Sequence, residues 1–502
     1  MSAPRTASAV LASNTSVNDV RGVEVPATSV AGTVAANGPQ RVLQVWAGPT
    51  LVTLAAASLA SWLTVFALTP VAVRPIYFGQ RYFVLDATSM LFLLVVNAVF
   101  LGIAVYFASR VRASAQLAQH LLPRAGLTLA FMVAMNLGLM ANNLLLLWAF
   151  IELTTLCAAP LVAQGNARAP FRVAWRYLLY SSMSLALTFL GIMCLTRSAY
   201  LQGVEINFAL GEMQAAAASA SDSWQRFGLG LMLFGLGSKL GLAPLYSWMP
   251  ETYEAAPSST SALLAAVQFN ISIVAVLRIL QVFPVQENGF VAYQLLVMGC
   301  LSLTVAAIQV IAARSFKRLI AYACVSSSGV IAIGLSVGQT AAYGVLLYIV
   351  SGAFVKALLF LTAGRLRNVY GTNDVKALSG VIRVLPFSGL LFAVGIFALL
   401  GFPPFGSFMA EMLILSGIVQ SGNLIAFTIM CTMLTIIFVA TGRSIFPMLW
   451  GPSERERPSV GERWMTALPK LGFVAVLILL GVYTPGPISR LLRDVAQSIG
   501  GQ

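Results

Sequence analysis

Hydrophobic residues fill long unbroken blocks of this chain, and polar residues collect in the short gaps between them. Thirteen blocks stand out, near 42–73, 82–108, 125–141, 143–163, 171–196, 226–249, 258–283, 290–312, 316–336, 340–365, 386–417, 423–448 and 466–484. Several are about 20 residues long, the length an α-helix needs to cross the hydrocarbon of a bilayer. No water is available there for backbone amides, so self-bonded helices are the expected element. The pattern predicts an all-α polytopic membrane protein with about 13 transmembrane helices. Block 386–417 is too long for one simple crossing and holds Gly401, Pro403, Pro404 and Gly406. It is expected to be two half-helices around an unwound middle. Block 226–249 meets Pro244 and Pro250, with Pro257 just beyond, and is expected to be the second discontinuous helix.

Residues 1–41 are rich in Ala, Ser, Thr and Val and poor in large apolar side chains, which predicts a disordered tail. They lack the compact basic start, apolar core and cleavage site of a signal peptide. Loops after every second block carry the bases: Arg110, Arg112 and Arg124; Arg168 and Arg172; Arg314, Lys317 and Arg318; Arg365, Arg367, Lys376 and Arg383; Arg455, Arg457 and Arg463. The positive-inside rule then places the tail in the cytoplasm and the C-terminus outside, in an inner-membrane setting. The loop at 250–257 is the exception, with Glu251 and Glu254 and no base.

Composition agrees with the pattern. The chain is 59% hydrophobic and 9% charged, where soluble domains carry about 25% charged residues. Its net charge of +14 is explained by loop bases, and no basic-aromatic module points to nucleic acid. The cysteines (Cys157, Cys194, Cys300, Cys324, Cys431) all lie in apolar stretches without metal-ligand spacing. The single histidine, His120, falls in a loop. Metal and haem ligation are therefore not expected, and no motif for any other cofactor occurs.

The charges inside blocks are the candidate chemistry. Glu152 is central in its block, Arg176 lies just inside the next, and Lys239 stands about two thirds along 226–249. Lys356 is central in 340–365, and Glu411 follows the break in 386–417. Each such residue costs several kcal/mol at mid-membrane, so something must compensate it. A structural ion pair is one reading of each, and Arg176 could also reach the interface. Five together form a pattern that suits a proton relay. Low dielectric favours the neutral form of an ionisable group and a neighbouring opposite charge favours the ionised form, so making or breaking a pair moves a proton. Glu152 with Lys239 is the expected pair. Pro244, and Pro403 with Pro404, fall within eight residues of a buried charge. A carbonyl freed there must be met by protein or water, so a hydrated pocket is expected at each break.

Lys239 beside Pro244 echoes Glu411 beside Pro404, and Arg176 echoes Lys356 about 180 positions on. Five blocks separate each pair. An odd count inverts the second unit, which predicts two inverted five-helix repeats, 125–283 and 290–448. N-terminal helices at 42–124 and a C-terminal helix and tail at 466–502 flank them.

Four stretches carry a resemblance: WAFIELTTL; SKLGLAPLYSWMPETYEAAPSSTSALLAA; RSFKRLIAYACVSSSGVIAIGL with YIVSGAFVKALLFLTAGRL; and LLGFPPFGSFMAEMLIL. Over about residues 82–450 the chain resembles the antiporter-like proton-pumping subunits of respiratory complex I, the multisubunit cation/proton antiporters and the membrane-bound hydrogenases. WAFIEL, AWRYLLY, FVKAL and GFPPFGSF make it look most like the hydrogenase-4 component F type. The resemblance implies that Glu152 and Lys239 are the family's fifth-helix glutamate and seventh-helix lysine. It implies that Lys356 is the central eleventh-helix lysine and Glu411 the twelfth-helix ionisable group. Relatives usually have fourteen helices, and here the polar tail replaces the first.

The chain also departs from the family. Pro250-Glu251-Thr252-Tyr253-Glu254 stands for P-D-A-H-S, and Asn270 stands where some relatives have lysine. Ser326, Ser327 and Ser328, and Ser351 with Gly352, stand where relatives often have histidine. Serines with water can carry protons in their place; a poorly conducting scaffold is the alternative. The implied function is proton translocation through a Glu/Lys relay, driven by redox or carbonate-handling partner subunits, with sodium as a further ion. A membrane subunit of a bicarbonate or CO₂ uptake complex and a stand-alone cation/proton transporter remain the alternatives.

Overall fold

The apolar blocks fold as helices. The computed structural model describes residues 38–69, 75–79, 81–111, 121–163, 168–203, 208–217, 223–452 and 464–499. Residues 1–37 of the expected tail lie outside the described residues, as do His120, Arg455, Arg457 and Arg463. Leu43–Gln502 pack as one compact unit; of the other, Met1–Val42, only helical residues 38–42 are described. Helix α1 (Gly38–Leu68) thus starts four residues inside the segment expected to be tail.

A short antiparallel hairpin follows, β1 (Ile76–Phe78) with β2 (Phe83–Leu85), pairing Ile76 with Leu85. The sequence pattern did not predict it. Then come α2 (Ala87–Val111), α3 (Leu121–Leu139), α4 (Leu144–Val162), α5 (Arg168–Leu201) and the short α6 (Leu210–Ala217). The first broken helix is α7 (Ser223–Lys239) with α8 (Trp248–Ala255). After it run α9 (Ser258–Val282), α10 (Gly289–Ala312), α11 (Phe316–Ser336) and α12 (Gln339–Tyr370). A short α13 (Val381–Val384) precedes the second broken helix, α14 (Pro386–Leu399) with α15 (Gly406–Gln420). The chain closes with α16 (Leu424–Trp450), α17 (Trp464–Val482) and α18 (Gly486–Ile499).

Among the described residues, eleven helices are long and apolar enough to cross a membrane, and α14 and α15 of the second broken pair are shorter apolar helices. This is an integral multi-pass membrane protein. The windows of α9 and α11 are buried on all faces and that of α12 nearly so, whereas α1 exposes most of its surface. A helix apolar all round must be enclosed by others, so α9, α11 and α12 form the interior that holds Lys356. The segment expected to be a C-terminal tail contains α18. Its Leu491, Leu492, Val495 and Ile499 are buried while Arg490 and Arg493 are exposed, as in an interfacial helix.

Both breaks have one geometry. Gly241 has φ +75° and Gly401 has φ +67°, the left-handed region that glycine enters most readily. Gly241 N–H donates to Ser238 O (3.0 Å) and Leu242 N–H to Gly237 O (2.8 Å). Gly401 N–H donates to Ala398 O (3.4 Å) and Phe402 N–H to Phe397 O (3.0 Å). These are the paired bonds of a Schellman cap, which satisfies the last carbonyls of a helix. The glycines therefore end α7 and α14, and Pro244, Pro403 and Pro404 follow in the connections. Pro250 lies inside the first turn of α8, where a missing N–H costs little. The expectation that prolines unwind a helix around a mid-helix lysine is corrected: Lys239 is the final residue of α7.

Candidate functional site

Because α7 stops at Lys239, its side chain reaches into the junction of α4, α5 and α7. Lys239 is buried, and its Nζ donates to Thr155 Oγ1 on α4 and to Ser181 Oγ on α5. The Tyr177 ring lies 5.6 Å from the ammonium, close enough for a cation–π contribution. Tyr177 hydroxyl donates to Gln268 Oε1 (2.9 Å), and Gln268 Nε2 donates to Thr154 Oγ1 (3.2 Å). Gln268 closes a π turn, Leu264–Gln268, within α9. Glu152, one turn before Thr155, accepts from Ser182 Oγ (2.6 Å), and its Oε2 has no hydrogen-bond partner among the described residues. The expected Glu152–Lys239 pair is therefore not a direct salt bridge; the adjacent Ser181 and Ser182 stand between them.

Protein groups meet the backbone freed at the first break. Trp248 Nε1 donates to Ser238 O (2.9 Å), Ser328 Oγ to Leu240 O (2.7 Å) and Ser238 Oγ to Leu245 O (3.3 Å). Ala243 N–H donates to Ser302 Oγ (2.8 Å). Side-chain hydroxyls and an indole thus meet these backbone groups.

Ser328 leads on to the second centre. It shares α11 with Ser326 and Ser327, all buried. Tyr348 hydroxyl on α12 approaches Ser327 Oγ at 3.5 Å and also faces the Glu411 carboxyl on α15. Glu411 is buried and packs against Gly401: a methyl group built there would lie 2.8 Å from the carboxyl carbon. Lys356, two turns along α12 from Tyr348, is buried with its Nζ 3.6 Å from the Phe269 ring centroid. Among the described residues no carboxylate pairs with it. Ser351 is fully buried, and its Oγ has no partner among the described residues. Asn270 bonds the Ala266 carbonyl (2.7 Å) from the same buried helix as Phe269.

Arg176 is not an interior charge. Half its side chain is exposed, and it pairs with Glu251 at 2.6 Å. Glu254 meets Arg318 at 3.4 Å. The acid-only loop is thus answered by bases from neighbouring elements. Lys317, read as a loop base, is fully buried and donates to the carbonyls of Glu254 (3.2 Å) and Ala256 (2.7 Å) at the end of α8. The break sequences also align at another spacing. Leu240-Gly241 through Trp248-Met249-Pro250-Glu251 matches Leu400-Gly401 through Phe408-Met409-Ala410-Glu411, 160 positions on. In that register Glu251, and not Lys239, falls opposite Glu411.

Sequence reasoning missed Thr155, Ser181, Ser182, Tyr177 and Tyr348, which carry ordinary helix-interior identities. It also passed over Arg278, a charge in the apolar run VAVLRILQV. Arg278 is buried and forks onto Asp86, at 2.5 Å to Oδ2 and 2.9 Å to Oδ1, with Ser89 Oγ as a third acceptor at 2.9 Å.

The fold recurs in solved membrane complexes. An archaeal membrane-bound sulfane sulfur reductase contains a chain that superposes with TM-score 0.81 at 22% identity, covering 92% of this chain and 95% of that one. A chain of the Mrp complex from Dietzia sp. superposes at 0.79 with 17% identity, covering 92% and 95%. In sequence, a hydrogenase-4 component F homolog of Methylacidiphilum infernorum is 27% identical over 80% of this chain and 86% of its own. NADH-quinone oxidoreductase subunit N of Desulforudis audaxviator is 28% identical, covering 75% of each. Residues 141–437, which hold Glu152, Lys239, Lys356 and Glu411 together, match the profile of one family. The chain belongs to the NADH:quinone oxidoreductase/Mrp antiporter transmembrane family.

Proposed function

We propose that this chain is a proton-translocating, antiporter-like subunit of a multisubunit membrane complex, and that it moves protons through buried groups from Glu152 to Glu411. One observation supports the reading: two clusters of polar groups lie in the apolar interior. Glu152, Ser182, Ser181 and Lys239 form one, and Ser327, Tyr348 and Glu411 form the other, with Lys356 two turns along α12 from Tyr348. Ser328, bonded to the Leu240 carbonyl, lies between them; a carbonyl only accepts, so water must complete the path there. Hydroxyls both donate and accept, so they can pass a proton where histidine is missing. Lys239 holds a proton beside two hydroxyls, and Glu152 biases its charge state through the serine pair. Lys356 is the central donor and acceptor, facing an aromatic ring until water or a neighbour supplies an acceptor. Glu411 is the terminal group, with Gly401 giving it room. Ser326 and Ser351 are further hydroxyls along the interior.

The chain lies in the inner membrane, with its N-terminus in the cytoplasm and its C-terminus outside. Its helices form two inverted five-helix repeats, each carrying one Schellman-capped break. Energy comes from partner subunits, redox or carbonate-handling, and co-purification distinguishes them. Sodium is a candidate second ion, read from a sodium dependence of flux.

Lys239→Ala is the test. Vesicles carrying the assembled complex are expected to lose proton transfer while subunit content on native gels is unchanged. Loss of assembly with normal flux in the surviving complex overturns the relay and leaves Lys239 a packing residue.

A further inference from the structure

A groove outside the relay has the chemistry of a lipid site. It has a volume of about 1090 Å³ and lies between the C-terminal ends of α10 and α16, with residues 375–379 on one side. Most of its lining is apolar, including Ile311, Ile436 and Val439, with hydroxyls from Ser379, Thr435 and Ser444; Ile311 and Val439 keep 64% and 60% of their surface exposed. Three bases also line it: Arg314 just past the end of α10, Lys376 in the connection, and Arg443 on α16. All three are exposed, and none forms an ion pair or a side-chain hydrogen bond among the described residues. Arg176, Arg278 and Arg318, by contrast, pair with carboxylates.

Apolar and basic groups lie side by side. The α16 wall runs from Thr435 to Met448, about 20 Å at the helical rise, with Ile436, Val439 and Ala440 before Arg443 and Ser444 and with Pro447 and Met448 after them. A soluble anion would use the bases and leave that wall bare. An acidic peptide would set its polar backbone against the apolar side chains that make up most of the lining. An amphiphile with a negative head and hydrocarbon tails uses both parts, and clustered bases at a helix end attract anionic headgroups in this way. We propose that this groove binds an anionic phospholipid, with Arg314, Lys376 and Arg443 on the phosphate and the apolar wall against an acyl chain.

The test uses native membranes holding the full-length chain, fused with vesicles of phosphatidylcholine containing a trace of photoactivatable phosphatidylglycerol. Mass spectrometry is expected to find label on the peptides around Ile311 and Val439. Unlabelled phosphatidylglycerol competes it away; inorganic phosphate does not. The triple variant R314Q/K376Q/R443Q is expected to lose labelling at least about tenfold, since each base adds attraction at a charged surface. The charge-preserving R314K/K376R/R443K keeps it. Should the neutral triple variant not assemble, each single Gln variant is expected to cut labelling severalfold. Equal labelling by a phosphatidylcholine analogue, or displacement by phosphate, overturns the proposal. So does a crosslink from this face to another protein in place of lipid.

Discussion

Glu152 and Lys239 bond to two consecutive hydroxyls of α5, not to each other. Ser182 donates to the carboxylate and Ser181 accepts from the ammonium. Residues at i and i+1 on a helix point about 100° apart, so one turn of α5 serves two helices, α4 and α7. A direct salt bridge in this interior would hold both charges fixed. The serine pair instead leaves the two groups without a direct bond, as the proposed relay requires.

Glu152→Gln isolates that charge. Glutamine keeps an oxygen to accept from Ser182 and keeps the side-chain volume, but cannot ionise. Proton uptake by vesicles is expected to fall at least about tenfold, in the range general acid–base groups supply, with assembly intact. Unchanged flux would show that Lys239 needs no carboxylate partner.

Tyr348→Phe tests the link between the centres. It removes only the hydroxyl that lies between Ser327 and Glu411. Packing around the ring is retained, so stability should change by less than about 1.5 kcal/mol. Flux is expected to drop about tenfold. A variant with wild-type flux would mean that protons reach Glu411 by another route.

The lengths of the blocks told most of the fold in advance, because crossing hydrocarbon sets both length and apolarity at once. Block 316–336 matches α11 in full. The break at 400–405 was also legible, since glycine and consecutive prolines are local signals. Lys239 was misplaced because three prolines drew attention away from Gly241, the residue whose positive φ ends the helix. The lysines and carboxylates were visible as charges in apolar runs, but their partners were not. Asp86 and Arg278 meet across 192 positions, and Lys317 reaches back to the end of α8. Such pairings are set by how helices pack, which no local pattern encodes. The hairpin at 76–85 escaped notice because its strands are three residues each, below the length at which alternation can be read.

Gly401→Ala against Gly352→Ala separates local strain from general damage. Gly401 has positive φ, and a methyl group there would press on the Glu411 carboxyl. An L-residue in that conformation costs about 1–2 kcal/mol before any clash. Gly352, in the middle of α12, has open space where its methyl would go. G401A is expected to abolish flux and lower thermal stability, whereas G352A leaves both near wild type. Equal behaviour would remove Gly401 from any role in placing Glu411.

The Asp86–Arg278 fork should set the acid sensitivity of the fold. Burial raises the Asp86 carboxyl, but the Arg278 guanidinium and the Ser89 amide and hydroxyl outweigh it, so it stays below the usual carboxylate range. A carboxyl lowered in the folded state stabilises the protein above its unfolded value, near about 3.9. That stabilisation fades as pH falls through the folded value. Asp86→Asn at neutral pH leaves a buried guanidinium without its anion. Breaking a buried pair costs about 3–5 kcal/mol; Asp86 keeps 23% of its side chain exposed, so about 2–4 kcal/mol is expected here. Melting temperature is therefore expected to drop in D86N at about pH 7, and the gap to wild type to narrow on titration below about pH 4. A gap that stays constant across that range would mean the variant acts through packing alone, with no charge of Asp86 behind it.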